Sequence, residues 1–223
     1  MSKIYFYGAG CGSKKAIDNL KTSLNIIFTK ATVKVDEDTL GAAYASSGNK
    51  PAIVAILGTG SNSCYFDGKK ITQNHVSLGY TIMDEASGNY FGKILLRDYF
   101  YNNMPNSLKK PFNNKYNTSV DYIKNQLYKS PNPNTYLASL SKFMFEYKEE
   151  EYIQKIITKG FQEFFDNQIN SYQKNQDLSL YFIGSIAFYF KDILIKVATK
   201  NNTSITEIIQ HPIDRLVEFH QKR

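Results

Sequence analysis

Residues 53 to 68 read Ile-Val-Ala-Ile-Leu-Gly-Thr-Gly-Ser-Asn-Ser-Cys-Tyr-Phe-Asp-Gly. An apolar run stops at Gly58-Thr59-Gly60-Ser61, and a second strand-like run follows it. This pattern predicts a strand, a tight glycine loop and a returning strand. Glycine can adopt positive φ and bring backbone N–H groups close to an anion, and the two hydroxyls are further donors. The stretch fits both a phosphate-binding loop and an ordinary hairpin turn, so the surrounding motifs must decide between them.

The first 49 residues alternate between strand and helix patterns. A strand over residues 3 to 7 precedes a glycine turn, after which Ser13 can cap a helix with one apolar face. A second strand over residues 31 to 35 leads into a small-residue helix that ends near Gly48. Strands that alternate with helices indicate a parallel sheet, so we predict a βαβα unit here.

Pro51 marks the start of a second unit, for which the sequence predicts the order βββαβαβα. The predicted elements after the hairpin are a strand at 69 to 71, a helix from Asp84, polar helical excursions over 102 to 135, an amphipathic helix at 149 to 172, a buried strand at 178 to 183, a helix at 188 to 198, a strand at 204 to 208 and a helix from 213.

The composition is that of a globular protein. With 223 residues, 42% of them hydrophobic, the chain can bury a substantial core. The net charge of +7 comes from lysines that are spread along polar stretches, which indicates a solvated surface. No nucleic-acid-binding motif accompanies the charge, so we expect no nucleic-acid partner.

Cysteine and histidine usage indicates no metal site. Cys11 and Cys64 are far apart in sequence, and His75, His211 and His220 have no metal-ligand spacing. We therefore expect two reduced cysteines and a cytoplasmic protein. No run approaches about 18 consecutive apolar residues and the N-terminus lacks a signal-peptide pattern, so we expect no membrane association.

Five short motifs follow one another along the chain. They are Gly8-Ala9-Gly10, Asp38, Leu57-Gly58-Thr59-Gly60-Ser61, Asp84-Glu85-Ala86-Ser87-Gly88 and Phe182-Ile183-Gly184-Ser185-Ile186-Ala187. In this order they resemble the BadF/BadG-type ATPase family, and within it the N-acetylglucosamine kinases. The resemblance implies an α/β, actin-like ATPase (ribonuclease H-like) fold. It also implies two lobes that close on ATP and a sugar.

The resemblance assigns the nucleotide contacts to two loops. It implies that ATP arrives with Mg²⁺, which carboxylates, water and phosphate oxygens would hold, without a protein metal site. The implied phosphate-binding residues are Gly58, Thr59, Gly60 and Ser61, and the implied adenosine-binding residues are Gly184 and Ser185.

The resemblance also assigns the sugar contacts and the base. Asp38 falls at the position of the catalytic aspartate, which takes the proton of the attacking sugar hydroxyl. A carboxylate that only favours the helix dipole is the structural alternative for Asp38. Asp84, with Glu85 beside it, is implied to bind sugar hydroxyls, and Gly79 and Tyr80 belong to the sugar-side loop.

The chain departs from the family pattern in two places. Met83 and Ala86 stand where the family has glycine, and no stretch resembles the family's first phosphate loop, Asp-Gly-Gly-Ser-Thr-Lys-Thr. The resemblance therefore implies that residues 1–49 are a remnant of the N-terminal lobe without its opening strands. Residues 50–223 would form a complete C-terminal lobe, with a helical insert at about 100–150 and a last helix that packs back on the first lobe.

These departures leave more than one function open. The first hypothesis is an amino-sugar kinase whose activity in this chain is impaired or lost, because one phosphate loop cannot clamp a polyphosphate alone. The alternative is a non-catalytic sugar- or nucleotide-binding protein that acts through partners. An iron–sulfur ATPase of the same family would need more cysteines at a dimer interface than the chain offers. The exposed sheet edge predicts a homo-oligomer.

Overall fold

The chain forms two β-sheets in the computed structural model, which describes residues 3–172 and 178–222. The first sheet pairs β1 (Lys3–Gly8) with β2 (Thr32–Glu37) in parallel, with Lys3 opposite Thr32. Between them runs α1 (Lys14–Ile27), and Ser13 caps it as predicted, its Oγ accepting from the Ala16 N–H at 3.3 Å. The βαβα unit ends with α2 (Asp38–Ser46), so its prediction is confirmed.

The second sheet has five strands in the order β5-β4-β3-β6-β7. Their bounds are β3 (Ala52–Leu57), β4 (Ser61–Phe66), β5 (Ile71–Thr72), β6 (Ser179–Ile183) and β7 (Glu207–Ile209). The central strand β3 runs antiparallel to β4 and parallel to β6. The predicted hairpin at the glycine loop is therefore confirmed.

Both faces of the five-stranded sheet are covered, which explains why β3 is an unbroken apolar run. Alternate side chains of a strand point to opposite faces. Ile53, Ala55 and Leu57 belong to a larger core on one face, whereas Ala52 and Val54 belong to a smaller core on the other. The larger core includes eight of the fully buried phenylalanine and leucine side chains that give it its volume: Phe91, Phe112, Phe143, Phe161, Phe164, Phe165, Phe182 and Leu95.

A set of helices covers the larger core between β5 and β6. They are α3 (Gly88–Phe100), α4 (Asn106–Lys115), α5 (Val120–Tyr128), α6 (Pro133–Leu140), α7 (Lys142–Glu146) and α8 (Glu151–Phe164), and α8 continues as a π-helical turn over Phe165–Ile169. Helices α3 and α6 approach closely, because a Cβ on Gly92 would lie 2.0 Å from the Leu137 carbonyl oxygen.

The remaining helices follow β6. They are α9 (Ser185–Tyr189), α10 (Lys191–Lys200) and α11 (Ile213–Gln221). Helix α11 returns to the first sheet, where the His220 ring stacks on Tyr5 at 3.7 Å between centroids. The Tyr7 hydroxyl lies 2.9 Å from His220 Nε2. This aromatic contact joins the end of the described chain to β1.

Three predicted boundaries are wrong. The helix predicted from Asp84 begins at Gly88, because Asp84 and Ala86 have φ of 69° and 60°, which an α-helix does not allow. The helix predicted at 188 to 198 is two helices that meet at Phe190. The last strand lies at Glu207–Ile209, later than the predicted 204 to 208. Within the described residues, no helix is both long and apolar enough to cross a membrane.

Candidate active site

The glycine loop is held in place by the start of α3. Within the loop, the Gly58 N–H donates to the Gly60 carbonyl at 3.0 Å. The Gly88 N–H donates to the Gly58 carbonyl at 2.8 Å, and the Asn89 N–H donates to the Thr59 carbonyl at 3.0 Å. These contacts satisfy the first two N–H groups of α3, which a helix cannot satisfy internally.

The outer side of the loop presents free donors. Across residues 3–172 and 178–222, the N–H groups of Thr59 and Gly60 have no backbone or side-chain acceptor, and Thr59 is exposed. Ser61 begins β4 opposite Leu57. Unpaired, accessible N–H groups on a short loop are the chemistry that binds a phosphate oxygen.

The reason expected for the two loop glycines is wrong, since neither Gly58 nor Gly60 has a positive φ. Gly60 is needed for close packing instead. A Cβ on Gly60 would lie 2.7 Å from Asp84 Oδ2, whereas a Cβ on Gly58 would meet nothing within 4 Å. The loop and the Asp84 carboxylate are thus in direct contact.

Asp84 is a buried carboxylate that a tight turn aims at the loop. Only 8% of Asp84 is exposed, and its carbonyl accepts from the Ser87 Oγ at 2.7 Å and the Ser87 N–H at 3.2 Å. Its Oδ2 accepts from the Asn89 Nδ2 at 2.9 Å. The same Nδ2 donates to the Thr59 carbonyl at 2.7 Å.

Asp38 reaches the site from the other sheet. It is the first residue of α2, and its Oδ1 accepts from the Thr39 N–H at 2.9 Å. Burial raises the pKa of the Asp38 carboxyl, the backbone N–H groups at the helix start oppose this, and the charge of Asp84 raises it further. The two carboxylates therefore interact electrostatically, although Asp38 follows a strand of the two-stranded sheet and Asp84 follows a strand of the five-stranded one.

Other titratable groups lie around Asp38, and Asp36 and Glu37 are alternative carboxylates within two residues of it. Burial also raises the pKa of Asp36 and of Glu37. Burial, with the charges of Asp38 and Glu37, raises the pKa of the Cys64 thiol to about 12, and burial together with the same acidic stretch raises that of Cys11. Both cysteines are free thiols, and neither acts as a thiolate nucleophile at neutral pH.

One of the predicted sugar-side residues, Tyr80, contacts a half-buried lysine. The Lys93 Nζ donates to the Tyr80 carbonyl at 2.5 Å. Burial lowers the pKa of Lys93, while the charges of Asp84 and Glu85 oppose that shift. Gly79 has a φ of 76° in the turn before Tyr80, so a glycine is favoured there.

Glu85 has a different hydrogen-bond partner from Asp84. Its Oε1 accepts from the Asn167 Nδ2 at 3.3 Å. Its Oε2 is buried and has no hydrogen-bond partner among the described residues. Glu85 is therefore beside the sugar-side residues but does not share the loop contact that Asp84 makes.

A cleft of about 670 Å³ opens beside the glycine loop. Gly58 and Thr59 border it on one side and Ser185, the first residue of α9, on another. Gly184 permits this approach, because its φ is 118° and a Cβ there would lie 2.4 Å from the Leu57 carbonyl oxygen. The rest of the lining comes from the start of α3, from helices α6, α7 and α9, from Ser141 between α6 and α7, and from the β7–α11 connection: Gly88, Thr135, Ala138, Ser139, Ser141, Lys142, Phe145, Glu146, Ile186, Tyr189, Gln210 and His211.

Sequence reasoning missed two residues of the site, Asn89 and Lys93, and gave no role of its own to Gly88 of the Asp84 motif. Gly88 lets α3 approach α6, since its Cβ would lie 3.1 Å from that of Ala138. Asn89 bridges Asp84 and Thr59, and Lys93 contacts Tyr80. Asn89 and Lys93 follow the Asp84 motif at helical spacing, and their placement in the first turns of α3 was the available signal.

Comparison with known proteins identifies the family. No protein-family model and no curated protein matches the sequence. The crystal structure of the "Putative N-acetylglucosamine Kinase" from Porphyromonas gingivalis is similar over 100% of this chain and 78% of its own, with 32% identity and a TM-score of 0.92. The chain belongs to the family of that protein. The actin-like ATPase fold predicted from the sequence is thereby confirmed.

A more distant structure agrees on the fold. The "Putative N-acetylglucosamine Kinase" from Chromobacterium violaceum matches 96% of this chain and 75% of its own, with 13% identity and a TM-score of 0.68. At this identity the likeness concerns the fold alone. Both structures are longer than the matched region, and this chain spans about three quarters of each.

Proposed function

We propose that the chain is an ATP-dependent sugar kinase of the N-acetylglucosamine kinase type within the BadF/BadG-like ATPases. One observation carries the proposal: the loop Gly58-Thr59-Gly60 has the 670 Å³ cleft on one side and the Asp84 carboxylate against Gly60. A phosphate held by this loop would lie between a nucleotide in the cleft and a hydroxyl compound at the carboxylates. That is the arrangement that phosphoryl transfer requires.

In this proposal the site residues bind phosphate, border the adenosine, orient the sugar or accept its proton. The free N–H groups of Thr59 and Gly60, with the hydroxyls of Thr59 and Ser61, bind phosphate oxygens, and Gly184 and Ser185 border the adenosine. Asp84 and Glu85, with the Gly79-Tyr80 turn, orient the sugar. Asp38 takes the proton of the attacking hydroxyl, and its raised pKa brings it closer to the neutral range that suits a general base.

Magnesium would enter with the nucleotide. Among the described residues, no group of three or more histidine, cysteine or acidic side chains could hold a metal by itself. Mg²⁺ characteristically combines one or two carboxylates with substrate phosphates and water, so Asp38 and Asp84 fit such a role. Bound there, the ion would neutralise charge on the transferring phosphate.

The chemistry requires one proton and one phosphoryl group to move. The sugar hydroxyl oxygen forms a bond to the γ-phosphorus of ATP, the bond from that phosphorus to the β,γ-bridging oxygen breaks, and ADP leaves. The hydroxyl proton passes to Asp38 and then to water. We propose low turnover for this chain alone, because its 223 residues contain one glycine loop where the sequence resemblance implies two.

We assign residues 1–49 and 50–223 to two lobes, with the site at their junction. Asp38 comes from the first lobe and Asp84 from the second. In this assignment, the insert at about 100–150 closes one side of the cleft. Closure of the lobes would exclude water from the transferring phosphate.

A coupled ADP-release assay with a panel of amino sugars tests the function, and the Asp38→Asn variant is its matched control. Sugar-stimulated ADP release that falls about 100-fold or more in the variant would support the proposal. If calorimetry detects binding of sugar or ATP without turnover, the chain is the non-catalytic binding protein of the alternative hypothesis. Absence of binding to both ligands overturns both functions.

We also propose that two copies associate through β1. Strand β1 pairs only with β2 among the described strands, and Phe6, Ile26 and Ile27 nearby are exposed by 37%, 73% and 70%. Two-stranded sheets are marginal alone, so a second β1 would extend the sheet. Light scattering should give a dimer that the Ile26→Glu/Ile27→Glu variant abolishes, and a wild-type monomer at high concentration would overturn this assignment.

A further inference from the structure

Asn89 forms a bridge between the two halves of the candidate site. It is the second residue of α3 and is fully buried. Its Nδ2 donates to Asp84 Oδ2 at 2.9 Å and to the Thr59 carbonyl at 2.7 Å, so both amide hydrogens are used. Its backbone N–H donates to the same Thr59 carbonyl at 3.0 Å. One side chain thus touches the sugar-side carboxylate and the phosphate loop.

The orientation of the Asn89 amide follows from its partners. A carboxylate oxygen and a carbonyl oxygen accept hydrogen bonds and cannot donate them, so the NH₂ group must face both. The amide oxygen Oδ1 therefore points away from the two acceptors. It is buried and has no hydrogen-bond partner in the described part of the chain.

Local helix stability does not account for this side chain. The start of α3 is already capped, because the Tyr90 N–H donates to the Ser87 Oγ at 3.2 Å and the Gly88 N–H donates to the Gly58 carbonyl. A buried amide oxygen without a partner is unfavourable for folding. The unpaired oxygen opposes folding, so what Asn89 contributes is the pair of hydrogen bonds that its Nδ2 group makes to Asp84 and Thr59.

We propose that Asn89 is a positioning residue that couples occupancy of the phosphate loop to the geometry of the sugar-binding carboxylate. The inference rests on the proposed function. The free Gly60 N–H and the Thr59 carbonyl belong to the same peptide unit, so a phosphate that accepts from Gly60 strengthens the hydrogen bond that this carbonyl accepts from Asn89. The other amide hydrogen of Asn89 holds the Asp84 carboxylate in place. The direct contact of Asp84 with Gly60 limits the alternatives for that carboxylate.

Coupling of this kind is reciprocal. If a nucleotide raises the affinity for a sugar by some factor, the sugar must raise the affinity for the nucleotide by the same factor. Removal of the Asn89 amide should reduce both factors together. Loss of a residue with only a packing role would lower stability. It would not change the ratio of the sugar affinity with nucleotide to the sugar affinity without it.

The test measures N-acetylglucosamine binding by calorimetry with and without a non-hydrolysable ATP analogue. In the wild-type chain we expect the analogue to change the sugar affinity by about fivefold or more. In Asn89→Ala and in Asn89→Leu the change should fall below about twofold. The leucine variant keeps the approximate size of the side chain and removes both donors without adding a charge, so it serves if the alanine variant does not fold.

Asn167→Ala is the matched control. Asn167 also donates its side-chain amide to an acidic residue of the site, Glu85, but it is exposed and, within the described residues, forms no hydrogen bond with the glycine loop. It should keep the wild-type ratio. A folded Asn89 variant that keeps the wild-type ratio overturns the coupling role, and so does a wild-type ratio near one. Wild-type protein that binds neither ligand overturns the proposed function and the coupling role with it.

Discussion

The two sheets differ greatly in how much they bury. The five-stranded sheet lies between two cores, and its central strand has Ile53, Val54 and Leu57 at 1% exposure or less. The two-stranded sheet shares only Cys11, Val33 and Val35 as a buried cluster, and α1 has no fully buried residue. The five-stranded sheet can hold a loop rigidly by itself. The two-stranded sheet depends on its neighbours for its position.

The candidate site needs both sheets. The glycine loop and Asp84 belong to the well-buried region, whereas Asp38 follows β2 and begins α2, which joins the two-stranded sheet to the smaller core of the five-stranded one. The link between the regions is side-chain packing on α2 and α11, where Tyr44 stacks on Phe219 at 4.4 Å and Tyr5 stacks on His220. Substitutions that destabilise the two-stranded sheet should therefore displace the glycine loop less than they displace Asp38.

The largest effect should come from the larger core. Phe161→Ala removes a fully buried ring that packs edge to face on Phe91 at 6.4 Å, and it should lower the free energy of unfolding by about 3–5 kcal/mol. Leu24→Ala in the half-buried face of α1 should lower it by about 1 kcal/mol. Urea denaturation measures both. Equal losses would contradict the contrast between the two regions.

The next effect separates two neighbouring glycines of the loop. Gly60→Ala forces its Cβ against the Asp84 carboxylate, so stability should fall by about 1–3 kcal/mol and sugar affinity should fall with it. Gly58→Ala has free space and should change stability by less than about 0.5 kcal/mol. Thermal unfolding and calorimetry measure stability and sugar affinity in both variants. A larger loss of stability in Gly58→Ala than in Gly60→Ala would contradict the prediction.

A smaller effect is expected at the junction of the sheets. His220→Ala removes the stacking on Tyr5 and the contact with the Tyr7 hydroxyl, so the free energy of unfolding should fall by about 1 kcal/mol. His75→Ala, at an exposed position, serves as the control and should leave stability unchanged. If the contact of His220 with β1 helps to position Asp38, turnover should fall in His220→Ala and stay unchanged in His75→Ala. Unchanged turnover in both would show that the junction does not position Asp38.

The smallest effect concerns the pH dependence of stability. Because folding raises the pKa of Asp38, its contribution is fully present below the pKa of the unfolded chain and is lost as the pH rises through the folded pKa. Asp38→Asn keeps an acceptor for the Thr39 N–H without the charge. Its melting temperature should therefore rise relative to wild type between pH 4 and pH 8. A relative fall over that range would contradict the burial of the carboxylate.

Much of the fold could be predicted from the sequence because its signals are local. The apolar run of β3, the Ser13 cap and the apolar stripe of α8 depend on residues a few positions apart, and all were interpreted correctly. The start of α3 was not, since Asp84 and Ala86 just before it both have positive φ and neither residue is a glycine. Local propensity could not reveal that conformation.

The site was predictable as a set of motifs, while its internal geometry was not. The importance of Gly60 comes from Asp84, which lies 24 positions later in the chain, and not from the turn in which Gly60 sits. Asn89 has no motif of its own and gains its place from two acceptors in different segments. Such contacts depend on the register of the sheet and on where α3 begins.

The carbonyl contacts from Gly88 and Asn89 to the glycine loop have a kinetic consequence. They hold the loop backbone in place, so association with the proposed nucleotide does not have to order a flexible segment. The association rate should then depend on entry into the open cleft and on ionic strength, since the proposed ligand is anionic and the chain carries a net charge of +7. Differences in nucleotide affinity among loop variants should accordingly appear in the dissociation rate.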